Sequence, residues 1–309
     1  MATMNWKKLG LIFDPNMLKD KGKSAALMPI PEVLDYDKGI MRVYFAPRDT
    51  ENRSEIHFFD VSIHNPFEIL RISHSPLLSH GKLGTFDDSG ITPGNIVTVD
   101  GVKRLYYTGW NLLINVPMNN SIGVAKFVNP ESIERYGDGP VMTRTLTEPY
   151  SCASPHVMCE DGVYRMWYAS MDKWLLENNT PKHYYNIKYA ESDDGLNWKR
   201  QNHIAINYES DGEYAFGRPW VLKEQGIYKM WYSYRGDRYL IGYAESHNGL
   251  DWTRLDEKAG ISPSEKGWDS EMIEYPSIVD LADGRYMLYN GNGYGKSGIG
   301  LAKLQEEGK

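Results

Sequence analysis

The feature that most constrains this chain is repetition. Five segments share one plan: a proline, a short apolar run, a turn ending in Gly, and an aromatic-rich strand. They are IPEVLDYDKGIMRVYF from Ile30, TPGNIVTVDGVKRLYY from Thr92, SPHVMCEDGVYRMWY from Ser154, RPWVLKEQGIYKMWY from Arg218 and YPSIVDLADGRYMLY from Tyr275. Their prolines, Pro31, Pro93, Pro155, Pro219 and Pro276, stand 62, 62, 64 and 57 residues apart. A period of this kind marks a chain built from stacked copies of one supersecondary unit. Each unit reads as four strands. A Pro-led strand A runs into a turn such as Asp161-Gly162 or Asp283-Gly284, dipeptides suited to a tight hairpin, and strand B follows. Strand C is the alternating NIKYAES or LIGYAES, and a second turn, Asp194-Gly195 or Asn248-Gly249, leads into a strand D marked by Trp.

Four antiparallel strands repeated about an axis make a propeller blade. The expectation is therefore an all-β chain, a five-bladed β-propeller, with residues 1–309 forming a single domain. Composition agrees, because 22 Tyr, 9 Trp and 29 Gly favour short strands joined by tight turns. The last repeat ends in GIGLAKLQEEGK without a strand D, while the chain opens with Asn5-Trp6-Lys7-Lys8, a near-copy of Asn197-Trp198-Lys199-Arg200 and Asp251-Trp252-Thr253-Arg254. The N-terminal strand is expected to complete the fifth blade and cover two sheet edges. A pair of stacked sheets explains neither the period nor the displaced tetrapeptide.

A net charge of −7 with no basic block argues against nucleic acid and membrane as partners. No long apolar run or signal-like N-terminus is present, which points to a cytoplasmic protein. Cys152 and Cys159 flank one strand and read as free thiols. The histidines are scattered and no glycine-rich phosphate loop follows a strand, so no cofactor and no metal are expected. Nothing in the sequence fixes the oligomeric state.

Pro-led inner strands, DG turns and MWY second strands in five blades resemble the superfamily of five-bladed propeller glycosidases. It includes the arabinanases and xylosidases, the invertases and levansucrases, and the mannoside phosphorylases. The resemblance covers nearly the whole chain. It implies carboxylates at the entry of the inner strands, one activating water or attacking the anomeric carbon and another protonating the leaving oxygen. Glu274-Tyr275-Pro276 matches the Glu-x-Pro form of a general-acid motif, and Phe86-Asp87-Asp88 is similar to the acidic segment of blade two. On that resemblance Glu274 is the candidate acid and Asp88 the candidate base, with Glu271 and Asp269 as further rim acids. The chain also departs from the pattern. No Asp-Pro opens the first inner strand, which reads Met28-Pro29-Ile30-Pro31, and blade three has Ser154-Pro155. The one Asp-Pro, Asp14-Pro15, follows the closing strand and reads as a turn.

The segments before each proline and the B–C loops share one face of a propeller, and that face collects the substrate-binding candidates. Asp87 is adjacent to Asp88 on an extended segment, so the two point to opposite faces. Arg218 near the axis needs an acid or an anionic ligand. Arg48, Asp49 and Arg235 lie in equivalent B–C loops and suit sugar hydroxyls. His156, on an inner strand, is placed to reach the axis; Trp110 and Tyr294, with Trp174, are candidate platforms for a sugar ring. The function so implied is a carbohydrate-active protein that cleaves or transfers a glycosidic bond with paired carboxylates, acting on a carbohydrate or glycoside. The missing Asp-Pro keeps open a divergent propeller that binds a sugar, a nucleotide-sugar or a protein, for example in surface-glycan biosynthesis.

Overall fold

The computed structural model describes residues 3–18 and 22–305. Five four-stranded antiparallel sheets follow one another around an axis. Blade 1 is β2 (Ser24–Asp35), β3 (Ile40–Arg48), β4 (His57–Ser62) and β5 (Ile69–Ile72). Blade 2 is β6 (Ile91–Val99), β7 (Val102–Leu112), β8 (Met118–Asn129) and β9 (Ser132–Arg135). Blade 3 is β10 (Cys152–Glu160), β11 (Val163–Glu177), β12 (Thr180–Ser192) and β13 (Lys199–Ile206). Blade 4 is β14 (Gly217–Glu224), β15 (Ile227–Arg235), β16 (Tyr239–Ser246) and β17 (Thr253–Arg254). Blade 5 joins β18 (Glu274–Leu281), β19 (Gly284–Asn290) and β20 (Ile299–Leu304) to β1 (Trp6–Phe13). No helix among the described residues is long and apolar enough to cross a membrane.

The ring closes as the displaced tetrapeptide implies. Trp6 pairs with Leu304, Lys8 with Ala302 and Phe13 with Ile299. The two ends of β1 also reach both flanking blades: Trp6 meets Trp231 of blade 4 edge-on at 6.3 Å, and Phe13 stacks on Phe59 of blade 1 at 4.4 Å. Asp14 then accepts the Asn16 N–H and turns the chain out of the closing strand.

The AES-x-x-GL repeat has a local cause. Ser192 Oγ accepts the Gly195 N–H, and Asp194 Oδ1 accepts those of Leu196 and Asn197; Ser246 and Asn248 do the same one blade on. These fixed turns aim a carbonyl at the preceding blade. Tyr106 donates to the Gly195 carbonyl and Trp167 Nε1 to the Gly249 carbonyl, each at 2.8 Å. On the A–B side, Asp100-Gly101, Asp161-Gly162 and Gln225-Gly226 all hold positive φ at both positions, as a two-residue hairpin turn requires.

The inner strands correct the proline register read from the sequence. In blades 1, 3, 4 and 5 two residues of strand A stand opposite a single residue of strand B: Met28-Pro29, Ser154-Pro155, Arg218-Pro219 and Tyr275-Pro276. Pro29, not Pro31, is therefore the blade 1 counterpart. In blade 2 the extra residue is Gly94, and Pro93 stands one position early. A side chain at Gly94 would meet the Pro155 carbonyl at 2.6 Å, so the close approach of blades 2 and 3 explains the exchange. The residue before each bulge proline, Met28, Ser154, Arg218 or Tyr275, sits at φ 54, 49, 53 or 56. That conformation is costly for a residue with a Cβ and collects at functional sites.

Trp6 is buried, whereas its neighbour Lys7 is exposed. Replacing Trp6 with Ala removes a large side chain that holds the ring closed, with an expected loss of about 3–5 kcal/mol. Lys7→Ala is expected to stay within about 0.5 kcal/mol of the parent. Urea unfolding of the two variants checks this; equal midpoints would show that the closing strand adds little.

Candidate functional site

The bulges place their strained residues around the axis at the entry end. Met28, Ser154, Arg218 and Tyr275 line a cavity of about 440 Å³, walled by Trp110, Tyr185, Phe216, Tyr239 and Tyr294. That volume lies in the range of small-ligand sites. The position just before each bulge is occupied by Leu27, Thr92, Ala153, Gly217 and Glu274, equivalents fixed by their strand B partners Ala46, Thr108, Ala169, Ser233 and Asn290. Four of the five are uncharged and line the cavity. Only the fifth is an acid, and no carboxylate of the described residues lines the cavity.

The acids of the pre-proline segments are engaged elsewhere. Asp87 accepts from Tyr107 Oη at 3.1 Å and from Arg135 Nε at 2.9 Å. Glu148 takes Tyr168 Oη at 2.9 Å and Arg200 Nη1 at 3.4 Å, and Asp269 takes Tyr289 Oη at 3.0 Å and Lys8 Nζ at 2.6 Å. In blade 4 Glu213 binds Arg254 through both guanidinium edges, while Asp256 accepts Tyr232 Oη. In blades 2, 3 and 5 one buried acid thus clasps a cation of strand D to the tyrosine of strand B, and in blade 4 Asp256, which also accepts from Arg254 Nη2, does so beside Glu213. In blade 1, Phe45 stands where the tyrosine would be and packs on Phe13 at 4.8 Å.

Asp88 points away from this clasp, as adjacency to Asp87 predicts, yet it does not line the cavity. Desolvation would raise its pKa, but hydrogen bonds from the Gly84 N–H, Ser89 Oγ and Asn111 Nδ2 prevail and lower it. Glu271 is exposed on the rim. Asp49 accepts the Glu51 and Arg53 N–H groups and Arg53 Nε, closing its own loop. His156 is buried against Trp220 at 5.0 Å and does not line the cavity; burial, with Arg218 nearby, pulls its pKa down to about 3.

Arg48, Trp110, Arg218 and Tyr294 do converge on the cavity. Arg218 reaches across the axis from blade 4. Its guanidinium donates to the carbonyls of Pro29 at 3.0 Å, Pro93 at 3.2 Å and Gly94, on the inner strands of blades 1 and 2. It meets neither Glu274 nor Asp88. Burial lowers its pKa to about 9, so it stays charged at neutral pH. Arg48 is half-buried, donates to Asn52 Oδ1 at 3.0 Å and faces Trp110 at 5.8 Å. Neither arginine has an acid partner among the described residues. Arg235 is just outside and donates to Tyr294 Oη at 2.6 Å.

Glu274 is fully buried, and neither carboxyl oxygen makes a well-formed hydrogen bond. Burial pushes its pKa well above the carboxylate range, opposed only in part by Tyr275 and Arg235. Tyr239 and Tyr275, both cavity-lining, are electrostatically coupled to it.

Sequence reasoning missed His183 and Tyr185. Ser170–Trp174 reads as a B–C loop, but β11 and β12 continue to a turn at Asn178-Asn179. The extension carries His183 to the cavity, 4.9 Å from Tyr185 and 5.8 Å from Trp174. The alternation KHYYNIKY was the available signal.

The five-bladed fold is one that glycoside hydrolases and a member of the mannoside phosphorylase family also adopt. The chain superposes on a glycoside hydrolase with a TM-score of 0.77 at 17% identity, covering 99% of this chain and 94% of that one. A structure from the GH130 family of mannoside phosphorylases, described as containing glycoside hydrolases that target beta-1,2 mannosidic linkages in Candida mannan, gives 0.72 at 17%, covering 100% and 95%. By sequence, the chain belongs to the family of the Mycobacterium tuberculosis uncharacterized protein Rv1502, with 41% identity over 302 residues, 98% of this chain and 100% of that one. It also resembles the 1,2-beta-oligomannan phosphorylase of Thermoanaerobacter sp. (strain X514), at 26% over 164 residues, about half of each chain. No protein-family model matches.

The state of Glu274 carries a pH signature. Its folded pKa is raised, so above the unfolded value of about 4.3 the unfolded chain ionises while the folded protein holds the proton. Stability is therefore lost as pH rises from about 4.3 toward the folded pKa. Glu274→Gln is expected to raise the urea midpoint at about pH 7.5 and to change it little at about pH 4. A pH-independent difference would show that Glu274 titrates normally.

Proposed function

We propose that this propeller, acting as one unit over residues 1–309, is a carbohydrate-active protein that takes an anionic reactant in its axial cavity and follows phosphorolysis rather than hydrolysis. The observation that carries the reading is a cavity that holds Arg48 and Arg218 with no lining carboxylate among the described residues. Inverting hydrolysis needs two carboxyl groups roughly 6.5–9.5 Å apart, one of them to deprotonate water. The ring of equivalent positions offers one acid, Glu274. Phosphate needs no base, since it is already anionic, and it needs cations to hold it.

In this reading a phosphate oxygen attacks the anomeric carbon as the glycosidic C–O bond breaks. In this step a cavity-lining tyrosine, Tyr275 or Tyr239, gives its phenolic proton to the leaving oxygen and takes the proton of the buried Glu274 carboxyl in return, through a hydrogen bond that forms when substrate is in place. The products are a sugar phosphate and a shortened acceptor. Trp110 and Tyr185 offer apolar faces to the sugar ring. The mannoside phosphorylase relatives support the substrate class, a mannose-containing glycan. A second reading has one observation in its favour: Glu274 is sealed from solvent, as suits a propeller that binds an anionic sugar without cleaving it.

Incubation with β-1,2-linked oligomannosides, with and without phosphate, tests the proposal. Phosphate-dependent release of mannose 1-phosphate that Glu274→Gln abolishes is the expected result. Calorimetry with mannose 1-phosphate is expected to show binding that Arg48→Ala weakens about tenfold or more, the scale of a charge-assisted hydrogen bond. Binding without turnover selects the second reading. Equal binding of mannose and mannose 1-phosphate, unchanged in Arg48→Ala, would overturn both.

A further inference from the structure

The most exposed apolar side chains of the entry face gather on blades 2 and 3. Ile114, in the loop from β7 to β8, and Leu146, in the segment before β10, are fully exposed; Leu176, at the tip of the β11–β12 hairpin, is 74% exposed. Leu83, in the segment before β6, is 99% exposed. The Ile114 and Leu146 loops are adjacent, since Arg144 Nε donates to Asn119 Oδ1 at 2.7 Å, tying the Leu146 segment to the base of the β7–β8 loop. A crest of this kind on a water-soluble surface marks an interaction site.

Two further observations choose its occupant. The crest runs into the cavity through Leu112, which is 71% exposed and also lines the cavity wall with Pro117 and Met118. An apolar path thus leads from the outer surface to the two arginines. Arg144 and Lys173, exposed beside the crest, have no acid partner among the described residues, and Lys173 lies over the Tyr184 ring at 5.0 Å. Apolar tips flanked by free cations suit a lipid–water interface with anionic headgroups. The overall charge of −7 does not govern this local patch.

We propose that the natural substrate is a lipid-linked saccharide presented at a membrane surface: its glycan enters the axial cavity, the phosphate at its lipid junction meets Arg144 and Lys173, and its lipid stem lies along the crest of blades 2 and 3. The proposal rests on the anionic-reactant reading above, and it replaces the sequence expectation that no membrane is involved.

The test uses the full chain and a triple variant, Ile114→Ser, Leu146→Ser and Leu176→Ser; none of these residues lines the cavity, and their exposure spares the fold. Co-sedimentation is measured with phosphatidylcholine vesicles, plain or carrying a polyprenyl phosphate, beside calorimetry with soluble mannose 1-phosphate. The expected result is capture by the polyprenyl phosphate vesicles, weaker capture by plain ones, and a loss of about tenfold or more in the variant, with mannose 1-phosphate binding unchanged. Absence of capture, or equal capture of the variant, overturns the proposal. So does a concentration-dependent dimer that the variant dissolves, because the crest is then a contact between copies. Vesicle capture without any mannose 1-phosphate binding would instead sink the anionic-reactant reading and leave the lipid surface standing.

Discussion

Five sheets that touch face to face around an axis form a ring with two free ends, and the ring holds its geometry only when those ends are joined. β1 joins them by main-chain pairing with β20, and its terminal aromatics press on blades 4 and 1. Lys8 adds a further tie, because it is the cation of the blade 5 clasp with Asp269 and Tyr289. The same strand therefore closes the ring and completes the fifth copy of its internal bracing. Removing an edge by pairing it also removes a template for unwanted strand addition.

A closed ring sets the inner strands at fixed positions about the axis, and the bulges act within that frame. An extra residue in a strand re-aims its side chain. Here four bulges do so together, each with a left-handed residue before proline, and the four side chains meet at the cavity. Arg218 shows what the frame makes possible. A guanidinium with no acid partner is tolerated in the interior because three carbonyls from two other blades accept its protons. Those carbonyls are spread by bulges, so the strain at the inner strands and the burial of the charge are parts of one arrangement.

The fold was legible in the sequence because it is periodic. Repeated turns, a repeated MWY strand and a displaced Asn-Trp-Lys-Lys are local signals summed over five copies. The site was legible only in part, because it lies where the copies differ. Arg218 stood out as a charge where the other blades carry an uncharged residue, and Glu274 as an acid in a Glu-x-Pro setting. The preference for Asp88 came from treating acids near strand entries as axial. The structure separates two classes of position that look alike in sequence. Asp87, Glu148, Glu213 and Asp269 lie six or seven residues before the repeat prolines and brace strand D, whereas the axial ring lies one or two residues before them. Only the register of the bulges distinguishes the two, and the two prolines Pro29 and Pro31, one residue apart, concealed that register in blade 1.

The electrostatics of the cavity follow from this separation. With the bracing acids paired to strand D cations, the field at the axis is left to Arg218 and Arg48, whose charges no carboxylate of the described residues cancels, inside walls of aromatic and small side chains. A charge in such surroundings acts more strongly than one in water. The same surroundings favour the neutral form of Glu274 and push its pKa up, since burial strips an ionised carboxyl of its solvation and Tyr275 and Arg235 offset this only in part. Cations that attract an anion and an acid that keeps its proton are the two complementary requirements for attack by an anionic nucleophile on a bond whose leaving oxygen must be protonated. A second, ionised carboxylate in the ring would cancel the charge of the arginines, so uncharged residues at Leu27, Thr92, Ala153 and Gly217 and arginines without an acid partner among the described residues are mutually consistent features of one site.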